Sequence, residues 1–419
     1  MQRQIQIVSV YMSNKVLNFN SMKRFFTLFV ITLFASSMLA QSFNFNQGSI
    51  KQKKYLEKIL FQNINGKLIV PVTINGKTYN FVIDTGAPLT ISDKLYKELN
   101  LPIISQKEIT DVSGRKKEVK IISLPELHLQ EITFIDTPGC VFHEESSDFF
   151  NLFECLEIDG IIGSNMLRNS VIQFDERSKH IIISNNFFKI PKKKVVKAQK
   201  MKLSPSSNPF IMIGLHKERK VGDYVLFDTG ASEFYCMSMY TYNYLNGRAD
   251  VTKIAEGEGS FAWGFNGVFE NQQHLLLNIK EFYLRNKIFN DLIVTTTNTI
   301  SLIGAQLLQY GKTTLDYKKK FFYFDPFDNV NTDELSERPR AILPTLQNEK
   351  LVVGIIWDKT LESKINLGDE VLSINGFDIQ AMDTCEYLTS DFTSSNEVLI
   401  LELRDINTGE IKKVEIKRM

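Results

Sequence analysis

The chain has 419 residues, enough for several hydrophobic cores. Its 49 lysines and arginines almost balance 48 acids, and 43% hydrophobic against 23% charged residues is the make-up of an ordinary globular protein. Such a balance excludes a nucleic-acid partner held by charge, and the five histidines, His128, His143 and His180 among them, show no metal-ligand spacing, so neither a metal nor another cofactor is expected.

In chain order, the first element begins at Met22-Lys23-Arg24, a basic start followed by an apolar run from Phe25 to Ala40. Sixteen residues fall short of the roughly 20 that a membrane span needs, so the run is expected to be a secretory signal cleaved near Ala40-Gln41. The mature chain would then have no stable membrane span and be exported, to the periplasm or outside the cell. Met1 to Ser21 then reads as an overlong gene start. Removing residues 1–40 takes away four bases and no acid, leaving 45 bases against 48 acids, a net charge of −3. No cysteine follows the apolar run, which argues against a lipid anchor. Residues 41–57 form an N-terminal segment that is the candidate for a removable pro-segment.

From about Ile59 the pattern is that of strands. Lys67 to Ile74 and Lys77 to Ile83 flank Asn75-Gly76, the pair that favours a type I′ hairpin. The second strand runs directly into Asp84-Thr85-Gly86-Ala87. The same sentence returns 144 residues later, where Leu226-Phe227 leads into Asp228-Thr229-Gly230-Ala231. Each copy has a later apolar-apolar-Gly signal, Ile161-Ile162-Gly163 and Leu302-Ile303-Gly304, which lie 79 and 76 residues after their aspartates. A strand-like run ending in an aspartate follows each glycine, Val171 to Asp175 and Thr313 to Asp316. One Asp-Thr-Gly is weak evidence; the duplicated context is strong.

This motif set resembles the two lobes of an aspartic protease, and is most similar to the retropepsin-like bacterial and retroviral proteins, over residues 58 to 328. The resemblance implies a mainly β fold with two retropepsin-like β-barrel lobes, 58–188 and 203–328, joined by a linker at 189–202 that includes the lysine run from Lys192. It implies Asp84 and Asp228 as catalytic residues, with Thr85 and Thr229 cross-linking the loops. Gly86 and Gly230 allow the tight turns, and Gly163 and Gly304 let a strand pack beneath each loop. Both aspartates lie on one chain, so a monomer suffices, whereas retroviral relatives must dimerise. The expected substrate is a polypeptide.

Peptide hydrolysis without a metal or nucleophilic side chain needs a water activated and a leaving nitrogen protonated. Two carboxylates about 3 Å apart can do both, because they cannot ionise together and hold one proton between them. Pepsin-like enzymes place a hydroxyl residue three positions after each aspartate; here Ala87 and Ala231 stand there, as in retroviral proteases, which predicts a less acidic working pH. Flap candidates lie about thirty residues after each aspartate, centred on Gly114 and on the Gly-rich stretch with Gly259 and Trp263; a core aromatic is the alternative for Trp263. Asp136-Thr137-Pro138-Gly139 is interrupted by proline and is expected to be a turn. Cys140 and Cys155 are the candidate disulfide pair, worth about 3 kcal/mol if closed; four buried free thiols are the alternative.

After the polar stretch Asp328 to Arg340, residues 336–419 carry another signature. A strand at Leu351 to Ile356 precedes Gly368-Asp369-Glu370-Val371-Leu372-Ser373-Ile374-Asn375-Gly376, and strands at Glu397 to Arg404 and Ile411 to Lys417 close the chain. This resembles a small PDZ-like α/β domain of exported proteases, which implies a partner or substrate peptide C-terminus. The usual Gly-Leu-Gly-Phe-like carboxylate loop is absent, and Arg340 to Pro344 would have to serve. The expected function is thus an exported aspartic endopeptidase. The competing classes are a catalytically silent peptide-binding scaffold, whose usual mark is loss of one aspartate, and an actin or sugar-kinase-like nucleotide binder, disfavoured by the all-β pattern and the export signal.

Overall fold

The structure is a computed structural model that describes residues 44–419, apart from 111–115, 143–152, 192–196, 217, 219, 246, 261–262, 265–266, 269–270, 349, 383–384 and 387–396. The signal-peptide segment and the start of the lysine run lie outside the described residues. Among the described residues no helix is long and apolar enough to cross a membrane.

The fold is mainly β, with short helices. Strands Lys67–Ile74 and Lys77–Asp84 form the expected hairpin, and Asn75 and Gly76 take the left-handed φ values of 49° and 77° that a type I′ turn requires. The strand Ile158–Gly163 pairs parallel to the hairpin's second strand, with Ile162 opposite Ile83 and Gly163 opposite Asp84. A parallel neighbour must be covered on both faces, which explains why this strand is apolar almost throughout. The second half repeats the arrangement. Strands Pro209–His216 and Val221–Phe227 form an antiparallel hairpin, and Leu302–Ile303 lies parallel to the latter.

The two halves meet in one six-stranded sheet. At its centre Val171–Asp175 pairs antiparallel with Gly311–Asp316, the two strands that follow the later glycines, with Gln173 opposite Thr314. Phe227, the residue before Asp228, is wholly buried; its ring meets Phe174 at 6.3 Å and Phe322 at 5.6 Å. Each such edge contact contributes roughly 0.5–1.5 kcal/mol beyond burial and seats the catalytic strand on the shared sheet. One continuous apolar cluster runs through both halves.

The N-terminal segment is built into these sheets. Ser49–Ile50 pairs with Phe134 and Ile135, and Leu56–Leu60 pairs with His180–Ser184 across the boundary at residue 58. Tyr55 is buried and its hydroxyl lies 2.8 Å from Ser170 Oγ. Loss of residues 41–57 would therefore open the core.

Residues 341–416 enclose an apolar cluster of their own. Asn375 and Gly376, at φ 52° and 79°, turn the strand Glu370–Ile374 back onto Phe377–Asp378. Asp369 of the Gly-Asp motif is fully buried; its carboxylate accepts from Asn366 N at 2.7 Å and Ile406 N at 2.9 Å and pairs with Lys412 at 2.6 Å. A buried carboxylate costs stability unless its oxygens are met in this way.

Two expectations need correction. The Asp136-Thr137-Pro138-Gly139 segment is not a turn: it lies within the strand Ile132–Val141, with Asp136 at φ 50° and Thr137 opposite Leu124. Cys140 and Cys155 are not bridged; Cys155 is bonded to Cys385, 230 residues away, and Cys140 is a free buried thiol. Its backbone N–H donates to Leu89 O at 2.9 Å, and burial of its side chain pushes the thiol up to about 12. Peptide mapping of the non-reduced protein should find Cys155 joined to Cys385, and Cys140 should react with a thiol reagent only after denaturation.

Candidate active site

Each catalytic loop is the end of a strand that runs into a Thr-Gly turn, and the two loops meet through reciprocal bonds. Thr85 N donates to Thr229 Oγ1 at 3.1 Å, and Thr229 N donates to Thr85 Oγ1 at 3.0 Å. Each hydroxyl then donates to the backbone of the opposite strand, Thr85 to Phe227 O at 2.6 Å and Thr229 to Ile83 O at 2.8 Å. Both threonines are fully buried. Four bonds of about 0.5–1.5 kcal/mol each hold the loops, and truncating either threonine would also leave buried donors and acceptors unmet.

Above this cross-link sit the carboxylates. Gly86 N donates to Asp84 Oδ1 at 2.7 Å and Gly230 N to Asp228 Oδ1 at 2.8 Å. The glycines are required by proximity. A Cβ on Gly86 would lie 2.5 Å from Asp228 Cγ, and one on Gly230 would be 2.8 Å from Asp84 Oδ1, with closer approaches to the rest of the carboxylate. Each loop therefore touches the other loop's acid, and no larger residue fits.

The later glycines pack closely against the two loops. A Cβ on Gly304 would meet Ala231 O at 2.7 Å, and one on Gly163 would clash with the backbone of Ala87, Pro88 and Leu89. Ser164 N donates to Ala87 O at 2.9 Å and Ala305 N to Ala231 O at 2.8 Å, the same bond in each half.

Burial, and then the facing charge of Asp228, push Asp84 well above the ordinary carboxylate range; the Gly86 N–H and the charge of Lys67 oppose this. Asp228 is only 5% exposed. One shared proton is the physical consequence of two carboxylates in contact.

Sequence reasoning missed several supporting groups. Lys67 reaches across from the first half and its ammonium donates to Gly230 O, beside the dyad. Ser164 Oγ donates to Thr85 O at 2.7 Å and lies 2.9 Å from Tyr317 OH, and Asn208 Nδ2 donates to the same carbonyl at 3.1 Å. Ser164 adjoins a recognised glycine, but its counterpart is Ala305, so the repeat does not reveal it.

Gly114 lies outside the described residues. The strands that flank it, Ser105–Thr110 and Lys116–Leu129, pair antiparallel up to Thr110 and Lys116. Gly259 ends the strand Val251–Gly259, which pairs with Gln272–Leu284, and Trp263 lies in a two-residue strand paired with Val268. Gly259, at φ 149°, pairs with Ile355 of the C-terminal region, so this hairpin is held by it. Among the described residues no cluster could hold a metal ion.

Residues 70–166 match the family model described as aspartyl protease. With two aspartates joined as above, the class is an aspartic-type endopeptidase, a hydrolase acting on polypeptide. No curated protein matches the chain. Among solved structures, the chain is similar to a retropepsin-like aspartic protease from Rickettsia conorii, at 15% identity over 32% of this chain and 95% of that one, with a TM-score of 0.23. It is also similar to the aspartic proteinase from Irpex lacteus, at 10% identity over 66% of this chain and 99% of that one, with a TM-score of 0.42.

The raised proton affinity of Asp84 has a stability consequence. Above the ordinary value of 3.8 the unfolded chain loses this proton while the native chain keeps it, so the native state is progressively penalised as pH rises towards the native value. Asp84→Asn should therefore raise the melting temperature at pH 7 by a few degrees, and the gain should vanish below about pH 4, where both states are protonated. Thermal melts across pH check this.

Proposed function

We propose that the protein is an exported aspartic endopeptidase that cleaves by a water activated between Asp84 and Asp228. The observation that carries this is the reciprocal packing of each loop's glycine against the other loop's carboxylate over the crossed threonines. Water attacks the peptide carbonyl carbon while an ionised carboxylate takes its proton and protonated Asp84 gives its own to the carbonyl oxygen. The resulting tetrahedral diol then collapses: its hydroxyl returns a proton to Asp84, the other aspartic acid protonates the departing nitrogen, and the C–N bond breaks. The dyad ends with the one proton it began with.

Both acids come from one chain, which supports a monomer as the working unit. Export to the periplasm or beyond is supported by the apolar run after Arg24 and by a disulfide, since such bonds persist in oxidising compartments. For the C-terminal region a PDZ-like peptide-binding role rests on the Gly-Asp-Glu-Val-Leu-Ser-Ile-Asn-Gly stretch; the strand Lys350–Ile356 has its edge at Ile355 taken up by Gly259.

The direct test is a peptide library incubated with residues 41–419. Asp84→Asn and Asp228→Asn should each lower kcat/KM by a factor on the order of 10³ or more, and the double variant should be hardly worse, because the two act as a unit. Substantial turnover by either single variant would refute the dyad.

The alanines that follow the dyad turns make a second prediction. Ala87→Ser with Ala231→Ser offers each ionised carboxylate a hydroxyl donor, which favours the charged form and should move the whole pH–rate profile towards acid. A profile that stays in place or moves to higher pH would show that other groups set the proton affinity.

A further inference from the structure

One C-terminal hairpin, Ile342–Gln347 paired with Lys350–Ile356, reaches both halves of the protease. Its Leu346 is 2% exposed, yet it does not pack in the C-terminal region's own core. It sits instead in a first-half apolar cluster with Ile69, Val82, Phe142, Phe153 and Ile161, against which Ala87 also packs.

The position of that cluster is what matters. Ile69 and Ile161 both stand opposite Val82 on the adjoining strands, so the three side chains lie side by side on one face. Val82 is two residues before Asp84, and alternate residues of a strand point the same way, so this face is the one that bears the catalytic carboxylate, about 7 Å further along. Ala87 is the residue that closes the catalytic turn. The pocket filled by Leu346 therefore lies beside the dyad, where an apolar side chain of a bound peptide would lie.

The same hairpin also holds the second-half flap. Gly259 pairs with Ile355, Ser260 N donates to Gly354 O at 3.0 Å, and Lys359 pairs with Glu256 at 3.0 Å. Ile355 and Trp357 pack on Leu276 with Ile254 and Ala255 of that hairpin. On the other side Cys385 is bonded to Cys155, which borders the Leu346 pocket. The region thus spans the cleft from the flap to the first half and is fastened at both ends.

We infer that the C-terminal region is a built-in latch: Leu346 occupies, in cis, the pocket for an aliphatic substrate side chain next to the dyad, and the Cys155–Cys385 bond keeps it there. Release requires either displacement of the hairpin or reduction of that bond: a dithiol gives up two electrons and two protons and closes into its own disulfide, while Cys155 and Cys385 are left as two thiols. This rests on the protease reading above.

The test uses the full mature chain and peptides with leucine near the cleaved bond. Leu346→Ala should raise kcat/KM at least tenfold, mainly through a lower KM, because the substrate no longer competes with a tethered leucine. Cys385→Ser, and the native chain treated with a thiol reductant, should show a smaller rise of the same kind without any change in the pocket. Binding of a peptidomimetic aspartic-protease inhibitor by calorimetry should tighten in parallel. If the native chain cleaves these peptides and neither substitution nor reduction raises kcat/KM, the latch is overturned and the protease reading stands. If no form cleaves peptide or binds the inhibitor, the protease reading fails and takes the latch with it.

Discussion

A carboxylate held against another in a buried site cannot readily ionise together with it, because the mutual repulsion and the cost of burying two charges outweigh the opposing charge of Lys67. The fold imposes this arrangement and then has to hold it. The crossed bonds of Thr85 and Thr229 bind each loop to the backbone of the other's strand, at Phe227 O and Ile83 O, so neither loop can withdraw without exposing buried polar groups. Gly86 and Gly230 then let the acids close to contact, where a single methyl would hold them apart. What keeps Asp84 protonated is its burial and then the facing charge of Asp228, both held in place by the rigid loops beneath them.

That rigidity is drawn from the whole molecule. The two halves share a sheet through Val171–Asp175 and Gly311–Asp316, and their cores are continuous, so the relative position of the loops is set by packing as well as by the threonines. Gly163 and Gly304 bring a parallel strand and a helical turn directly beneath each loop, and Ser164 N and Ala305 N fix the residue after each turn. The symmetry is not complete. Ser164 and Asn208 both bond Thr85 O in the first loop, whereas Lys67 bonds Gly230 O in the second.

The C-terminal region changes how the protease is to be understood. It adds a strand to the second flap at Gly259, seats Leu346 on the face that carries Asp84, and is tied to the first half by Cys155–Cys385. A region joined at three such points is mechanically part of the catalytic unit. Access of a peptide to the dyad then depends on contacts made by residues far from it in sequence.

The sequence alone marked out the candidate dyad, its turns and its neighbouring glycines, because a duplicated motif writes the same local constraint twice: a strand end, a carboxylate, a residue that can cross-link and one without a side chain. It determined the hairpin at Asn75-Gly76 for the same reason, since positive φ at two successive residues is a local property. Only the tertiary structure decided what depends on long-range contact. The partner of Cys155 is Cys385 rather than Cys140, nearer in the chain, which is a buried free thiol. Asp136-Thr137-Pro138-Gly139, composed like a turn, lies in a strand because its neighbours on either side pair. Leu346 reads as one more apolar residue of a strand, and nothing near it in the chain reveals that it leaves its own core for the first-half cluster around Val82. Bonding chemistry at a turn is set by adjacent residues, whereas which surface covers a buried side chain is set by the packing of elements brought together from opposite ends of the chain.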